Sequence, residues 1–252
     1  MRMKAKLTIA ALLIPGAAPA LAAPADPLQS PMWEHHAARL FGKDAVVFDD
    51  RVAVRIPEIA ENQRVFPVTV DARALPDVRR IVLFADLNPI PVAVDYTPTG
   101  AEPFLATRIK LDQRTPVRAA VQTQDGTWHV GGSWIDAAGG GCSAPPVSRV
   151  KGDWADHLGE VRAGQWPEKA GETRLRLTFR HPMDTGLVEN IPAYNIERLT
   201  VRDASGKALG QMQIFGSVAE DPAFTVVVKA TGTISFEARD SAGLEFPGKV
   251  GA

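Results

Sequence analysis

Short apolar runs separated by turn residues dominate the first half of the chain beyond residue 64. Runs of this length bounded by Gly, Pro, Asn and Asp predict β-strands, and a spacing of roughly ten residues is typical of a β-sandwich. A Gln124-Asp125-Gly126-Thr127 segment predicts a hairpin turn between the last two runs. The predicted strands are Val65–Val70, Arg79–Ala85, Pro91–Tyr96, Phe104–Lys110, Val117–Gln122 and Thr127–Trp134.

The same pattern resumes in the second half, after a segment (Trp154–Pro167) whose pattern is ambiguous. Leu175, Leu177 and Phe179 alternate with polar residues, which places them on one face of a strand. Turn residues at 203–206, 230–232 and 240–243 separate the later runs. These are Ile196–Asp203, Ala208–Ile214, Phe224–Lys229 and Thr233–Arg239. The pattern predicts two β regions of about 100 residues each.

One short helix is predicted ahead of the first strand. Trp33, Ala37, Leu40 and Phe41 recur with helical spacing, and Ser30-Pro31 favours a helix start. Gly42 favours its end. We expect this helix to cover an edge or end of a sheet.

The N-terminus has the pattern of a secretory signal. A basic start at Arg2, Lys4 and Lys6 precedes an apolar stretch, and Ala20-Leu21-Ala22 supplies the small residues of a cleavage site. The apolar stretch is too short for a membrane span. The sequence therefore predicts a signal peptide over residues 1–22, a periplasmic location and no membrane anchor.

Composition narrows the function classes. The formal net charge is −1, without a basic bias, so nucleic acid is not an expected partner. The single cysteine excludes an intramolecular disulfide. His129, His157 and His181 are far apart in sequence and none is paired with the cysteine at ligand spacing, so neither a metal nor a cofactor is predicted.

That cysteine, Cys142, lies in a Gly/Pro-rich segment between the two β regions. Gly139, Gly140 and Gly141 precede it, and Pro145-Pro146 follow. The glycines predict a flexible arm that exposes the thiol and carries it up to about 20 Å from the last strand. Such an arm suits delivery of a bound group to another protein. Two alternatives are a domain linker with an incidental cysteine and a thiol-dependent enzyme with a distant histidine.

Several motifs resemble the sulfur-oxidation carrier subunits SoxY and SoxZ. The first β region is similar to SoxY at Asn88-Pro89-Ile90-Pro91, Thr107-Arg108-Ile109-Lys110 and Gly140-Gly141-Cys142. The second is similar to SoxZ at His181-Pro182-Met183-Asp184-Thr185-Gly186 and Ile191-Pro192-Ala193-Tyr194. The whole resembles the fused SoxYZ-like carriers associated with quinoprotein dehydrogenases.

The resemblance implies an all-β fold of two immunoglobulin-like sandwiches joined by a Gly-rich cysteine loop. Residues 31–136 would form the SoxY-like domain with the helix, 137–148 the arm, and 154–252 the SoxZ-like domain. Cys142 would carry a covalently attached sulfur group, with Gly139, Gly140 and Gly141 as its flexible approach. SoxY ends in a Gly-Gly-Cys-Gly-Gly tail, whereas this arm continues into a second domain and is tethered at both ends.

These observations lead to one functional hypothesis and one alternative. The first is a periplasmic carrier, not an enzyme, that presents a sulfur-containing or other thiol-reactive group on Cys142 to partner enzymes. The expected partners are sulfur-processing or redox enzymes, including a quinoprotein dehydrogenase or a c-type cytochrome. The alternative is a non-covalent binding or assembly module for a periplasmic dehydrogenase.

Overall fold

A computed structural model describes residues 24–251 of the chain, so the predicted signal peptide lies outside the described residues. Neither helix in this range has the length and apolarity needed to cross a membrane. The helices are α1 (Trp33–Leu40) and α2 (Val147–Lys151). The strands are β1 (Val46–Phe48), β2 (Ala53–Arg55), β3 (Phe66–Asp71), β4 (Val78–Ala85), β5 (Val92–Pro98), β6 (Ala101–Ile109), β7 (Thr115–Thr123), β8 (Trp128–Ile135), β9 (Val161–Pro167), β10 (Thr173–Phe179), β11 (Ile196–Arg202), β12 (Ala208–Ile214), β13 (Ala223–Val228), β14 (Ile234–Asp240) and β15 (Glu245–Val250).

The strands form two sheets packed face to face. One sheet has the order β1-β8-β7-β4-β5-β12-β11-β14-β15, and the other has the order β2-β3-β6-β13-β10-β9. In β10 the residues Leu175, Leu177 and Phe179 are buried and alternate with more exposed neighbours, as the sequence predicts. The predicted all-β fold with one short N-terminal helix is confirmed.

Each sheet runs through both halves of the chain. Strand β5 of the first half pairs with β12 of the second, which sets Tyr96 opposite Met212. Strand β6 pairs with β13 in the other sheet, which sets Leu105 opposite Val226. The apolar core is therefore continuous from one half to the other. The two sandwiches meet edge to edge at these two strand pairs.

The predicted helix α1 covers the outer face of the larger sheet. Trp33, Ala37 and Phe41 pack there against Phe84 and Trp128. The Phe41 and Trp128 rings lie 5.1 Å apart between centroids. This second, smaller core explains why apolar residues occur on both faces of β4, β7 and β8.

Candidate functional site

Cys142 is buried rather than exposed. Its exposed fraction is 0%, and it forms no disulfide. The expectation of an exposed thiol is wrong for this conformation, because the segment around Cys142 folds back between the two halves of the molecule.

The glycines before Cys142 allow close packing of backbones. The Gly141 N–H donates to Leu111 O at 3.0 Å, and a Cβ at Gly141 would lie 2.3 Å from that same oxygen. Gly139 has a φ of +97°, and its carbonyl accepts a hydrogen bond from Gln63 Nε2 at 2.8 Å. The predicted flexible approach of Gly139, Gly140 and Gly141 is thus folded against the first half in this structure.

Asp112 holds the backbone at the cysteine. Its Oδ1 atom accepts hydrogen bonds from Cys142 N at 3.0 Å, Ser143 N at 3.1 Å and Ser143 Oγ at 3.0 Å. Asp112 is itself positioned because its N–H donates to Asn88 Oδ1 at 3.0 Å. The loop after β6 therefore acts as a clamp on residues 142 and 143.

Residues 181–186 of the second half contact the same segment, and we call them the cap. Thr185 Oγ1 donates to Cys142 O at 2.7 Å. His181 and Met183 in the cap are buried, and Met183 has a φ of 52°. The second half thus supplies a hydrogen bond to the cysteine itself.

A polar cluster fixes the shape of the cap. The Met183 N–H donates to His181 Nδ1 at 3.0 Å, which leaves the ring proton on Nε2. Burial lowers the pKa of His181 to about 4, so the ring is neutral at pH 7. His181 Nε2 lies 3.7 Å from Asp240 Oδ2, which accepts a 2.7 Å hydrogen bond from Tyr194 Oη.

Lys110 joins the two halves beneath this cap. Its side chain is buried, and its Nζ donates to Met183 O and, at 2.7 Å, to Gly216 O. Burial lowers the pKa of Lys110 to about 8, although the nearby Cys142, Asp184 and Glu220 oppose that shift. A buried lysine is uncommon and needs such partners.

The surroundings of Cys142 keep its sulfur protonated. Burial, opposed by the Lys110 ammonium and assisted by the Asp112 carboxylate, raises the pKa of the thiol to about 12. A thiol is a weak nucleophile compared with its thiolate. In this conformation the sulfur is therefore both shielded and unreactive at pH 7.

Helix α2 attaches the far end of the segment to the second half. The Glu220 carboxylate accepts the Val147 and Ser148 N–H groups, each at 2.7 Å. Arg149 forms an ion pair with Asp184 in the cap, and its guanidinium lies 3.8 Å from the centre of the Trp154 ring. Both ends of the arm are thus anchored.

The three histidines weighed as metal ligands, His129, His157 and His181, make separate contacts. His129 pairs with Asp49 and His157 pairs with Glu160, whereas only His181 belongs to the cap. Within residues 24–251 no three His, Cys, Asp or Glu side chains are grouped to hold a metal ion.

Sequence reasoning missed Lys110, Asp112 and Glu220 as parts of the site. Lys110 is the last residue of the predicted strand Phe104–Lys110, and the only hint of its role was its place in the Thr107-Arg108-Ile109-Lys110 motif. Asp112 and Glu220 occur in ordinary turn sequences. Their positions depend on contacts distant in the chain, which local patterns do not encode.

Comparisons with known proteins match each half separately. Residues 37–142 match the family model "Sulfur oxidation protein SoxY", and residues 161–250 match "Sulphur oxidation protein SoxZ". The SoxY match ends at Cys142 itself. No curated protein matches the chain.

Solved structures give weaker similarities. The sulfur carrier protein SoxY from Chlorobium limicola f thiosulfatophilum aligns with 21% identity and a TM-score of 0.37, covering 42% of this chain and 94% of that one. A beta-glycosidase from Bacteroides vulgatus aligns with 10% identity and a TM-score of 0.24, covering 80% and 24%.

The two family models match in the order that the sequence motifs predict, and Cys142 is the last residue of the SoxY match. The chain is therefore a fused SoxYZ-like protein, in which a SoxY domain is followed by a SoxZ domain in one polypeptide.

Proposed function

We propose that this protein is a non-enzymatic carrier that holds a sulfur-containing or other thiol-reactive group covalently on Cys142 and presents it to partner enzymes. The observation that carries the proposal is the position of the only thiol, enclosed by the clamp of one half and the cap of the other. A reactive adduct at that position would be shielded from water and from other thiols.

Loading and delivery require the arm to open. The Asp112 clamp, the Thr185 hydrogen bond and the Glu220 contacts with α2 must then break, while the strands remain paired. Each such hydrogen bond contributes about 0.5–3 kcal/mol. We therefore expect the open form to be a small fraction of the molecules at equilibrium, reached by local unfolding of the arm. Because the arm is tethered at both ends, the open form is a loop, and a partner needs a cleft wide enough to admit it.

The known partners and location of SoxYZ carriers support this proposal. SoxYZ carriers work with sulfur-oxidation enzymes and are typically periplasmic. Export by a signal peptide over residues 1–22, and a quinoprotein dehydrogenase or c-type cytochrome as the partner, belong to the proposal. Their support is the N-terminal sequence pattern and the resemblance to dehydrogenase-associated carriers.

The mass of the native protein tests the proposal. We expect protein purified from the periplasm of its natural host to carry an added mass at Cys142 that a reductant removes. A host strain with Cys142→Ser should lose the substrate oxidation that depends on this protein. Recovery of unmodified thiol alone, together with a Cys142→Ser strain that grows and oxidises normally, would contradict the carrier function.

A second candidate is the assembly module for a periplasmic dehydrogenase. The protonated, buried thiol favours it, as do the exposed apolar side chains of Val150 and Leu187, which are 71% and 45% exposed beside the arm and the cap. In that case Cys142→Ser would leave partner binding intact, whereas Val150→Asp would weaken it.

A further inference from the structure

Lys110 is a buried cation without a carboxylate partner. The acceptors of its ammonium among residues 24–251 are two carbonyl oxygens, from Met183 and Gly216. An ammonium group has three N–H donors, so two acceptors leave one donor unused. Burial of a charge in this state is costly, and an anion placed beside it would offset the cost.

The other charged groups around the sulfur are already engaged. Asp112 accepts three hydrogen bonds from residues 142 and 143. Asp184 is paired with Arg149, and both oxygens of Glu220 accept backbone N–H groups of α2. Lys110 is therefore the charge that is left to interact with a group on Cys142.

The backbone places Lys110 and the cysteine together. Gly141, the residue before Cys142, is hydrogen-bonded to Leu111, the residue after Lys110. From the opposite side, the cap donates to Cys142 O through Thr185 and accepts from Lys110 through Met183. Cys142 and Lys110 thus contact the same short stretch of cap, and the sulfur and the ammonium are close enough for the charge of each to affect the pKa of the other.

We infer that Lys110 is a specificity-determining residue for the group on Cys142, because its ammonium makes the closed site favour a negatively charged adduct over a neutral or cationic one. The inference rests on the proposed carrier function. A charge-assisted hydrogen bond from the free N–H would stabilise an anionic adduct in the closed state. A cationic adduct would be repelled and would favour the open state.

Adducts of similar size and different charge test this inference. Cys142 is converted to a mixed disulfide with sulfonatoethyl, trimethylammonioethyl or propyl methanethiosulfonate. In each reaction the thiolate displaces methanesulfinate, an S–S bond forms, and the thiol proton passes to the buffer. Dithiothreitol, a neutral reductant, then removes each adduct, and its rate is divided by the rate for the same adduct in urea-unfolded protein.

We expect the sulfonatoethyl adduct in the native protein to be reduced about tenfold more slowly than the trimethylammonioethyl adduct, with the propyl adduct between them. Lys110→Met should remove this charge dependence, and Lys110→Arg should retain it. A general loss of packing in Lys110→Met would speed up all three reductions equally, and that result would overturn the inference.

Two further outcomes keep the inference separate from the proposed function. Equal protection of the three adducts in the unsubstituted protein would overturn the role of Lys110, even if Lys110→Met did not fold. The carrier function would still stand if native protein carried a group on Cys142. An unmodified native thiol and a normal Cys142→Ser strain would instead remove the carrier function.

Discussion

Asp112 is the residue whose removal should expose the thiol most directly. Its Oδ1 atom holds Cys142 N, Ser143 N and Ser143 Oγ at 3.0–3.1 Å. Hydrogen bonds to a charged group contribute about 1.5–3 kcal/mol each, and part of that is regained from water when the arm opens. We expect Asp112→Ala to raise the rate of Cys142 alkylation by iodoacetamide at pH 8 by about tenfold or more.

The chain offers a matched control for that substitution. Asp203 Oδ1 accepts the same kind of hydrogen bonds, from Ser205 N, Ser205 Oγ and Lys207 N, in an exposed turn of the second half. Asp203→Ala should leave the alkylation rate unchanged. Equal rates for both variants would mean that the clamp does not control access to the sulfur.

The buried thiol also makes stability depend on pH in the alkaline range. The pKa of Cys142 is raised from 9.0 to about 12, so the folded state keeps a proton that the unfolded state releases, and stability falls as pH rises from 9 toward 12. The pKa of Lys110 is lowered from 10.5 to about 8, so its contribution has the opposite sign and rises with pH between 8 and 10.5.

Replacement of the thiol separates the two contributions. Between pH 9 and pH 11, the free energy of unfolding should fall by about 2 kcal/mol less in Cys142→Ser than in the unsubstituted protein. Urea unfolding midpoints at pH 8, 9, 10 and 11 measure this difference. Parallel curves for the two proteins would indicate that the thiol titrates like an exposed group.

At the level of elements, α2 is the latch at the far end of the arm. Its first N–H groups are held by Glu220, and α2 itself is short, so tertiary contacts rather than helix propensity keep it folded. Glu220→Gln removes one hydrogen bond, because an amide has one acceptor oxygen instead of two, and weakens the other because the negative charge is lost. We expect trypsin to cleave after Arg149 or Lys151 about tenfold faster in this variant.

Glu168→Gln is the control for the latch. Glu168 also accepts two side-chain hydrogen bonds, from Arg174 Nε and Nη2, but it lies in the turn between β9 and β10. Cleavage at 149–151 should not change in this variant. If both variants were cleaved at the unsubstituted rate, α2 would not be the element that releases the arm.

The strands show which parts of the fold a local sequence pattern can predict. Short apolar runs bounded by turn residues predicted β3–β8, and alternation or similar runs predicted β10–β14, because each of these strands contributes apolar residues to a core. The edge strands β1, β2 and β15 were missed, since exposed residues such as Val47 and Pro247 interrupt the alternation of apolar and polar residues. Helix α2 was missed because it is only five residues long, its N-cap residue Pro146 has no capping side chain, and it buries no apolar residue.

The site was less predictable than the fold. Glycines at 139–141 are compatible with a free arm and with tight backbone packing, and only the positions of Leu111 and Gln63 decide between them. The burial of Cys142 similarly depends on Thr185, which lies 43 residues away in sequence. Composition identified the reactive atom, whereas its shielding follows from contacts between the two halves.

At the level of the whole molecule, the two halves should unfold as one unit. Both sheets cross the junction, through the β5–β12 and β6–β13 pairs, and the apolar core is continuous beneath them. Leu105 is fully buried on β6 and pairs with Val226 of the second half. Truncation of a buried leucine costs about 2–5 kcal/mol.

We therefore expect Leu105→Ala to destabilise both halves equally. Hydrogen exchange followed by mass spectrometry gives the amide exchange rates of the two halves separately. The strands to compare are β7 (Thr115–Thr123) of the first half and β10 (Thr173–Phe179) of the second. Protected amides in both strands should exchange faster by the same factor, because they share one global unfolding step. Faster exchange in β7 alone would mean that the halves unfold independently. The site would then depend on docking between two separate domains, and Cys142 could become exposed without unfolding of either half.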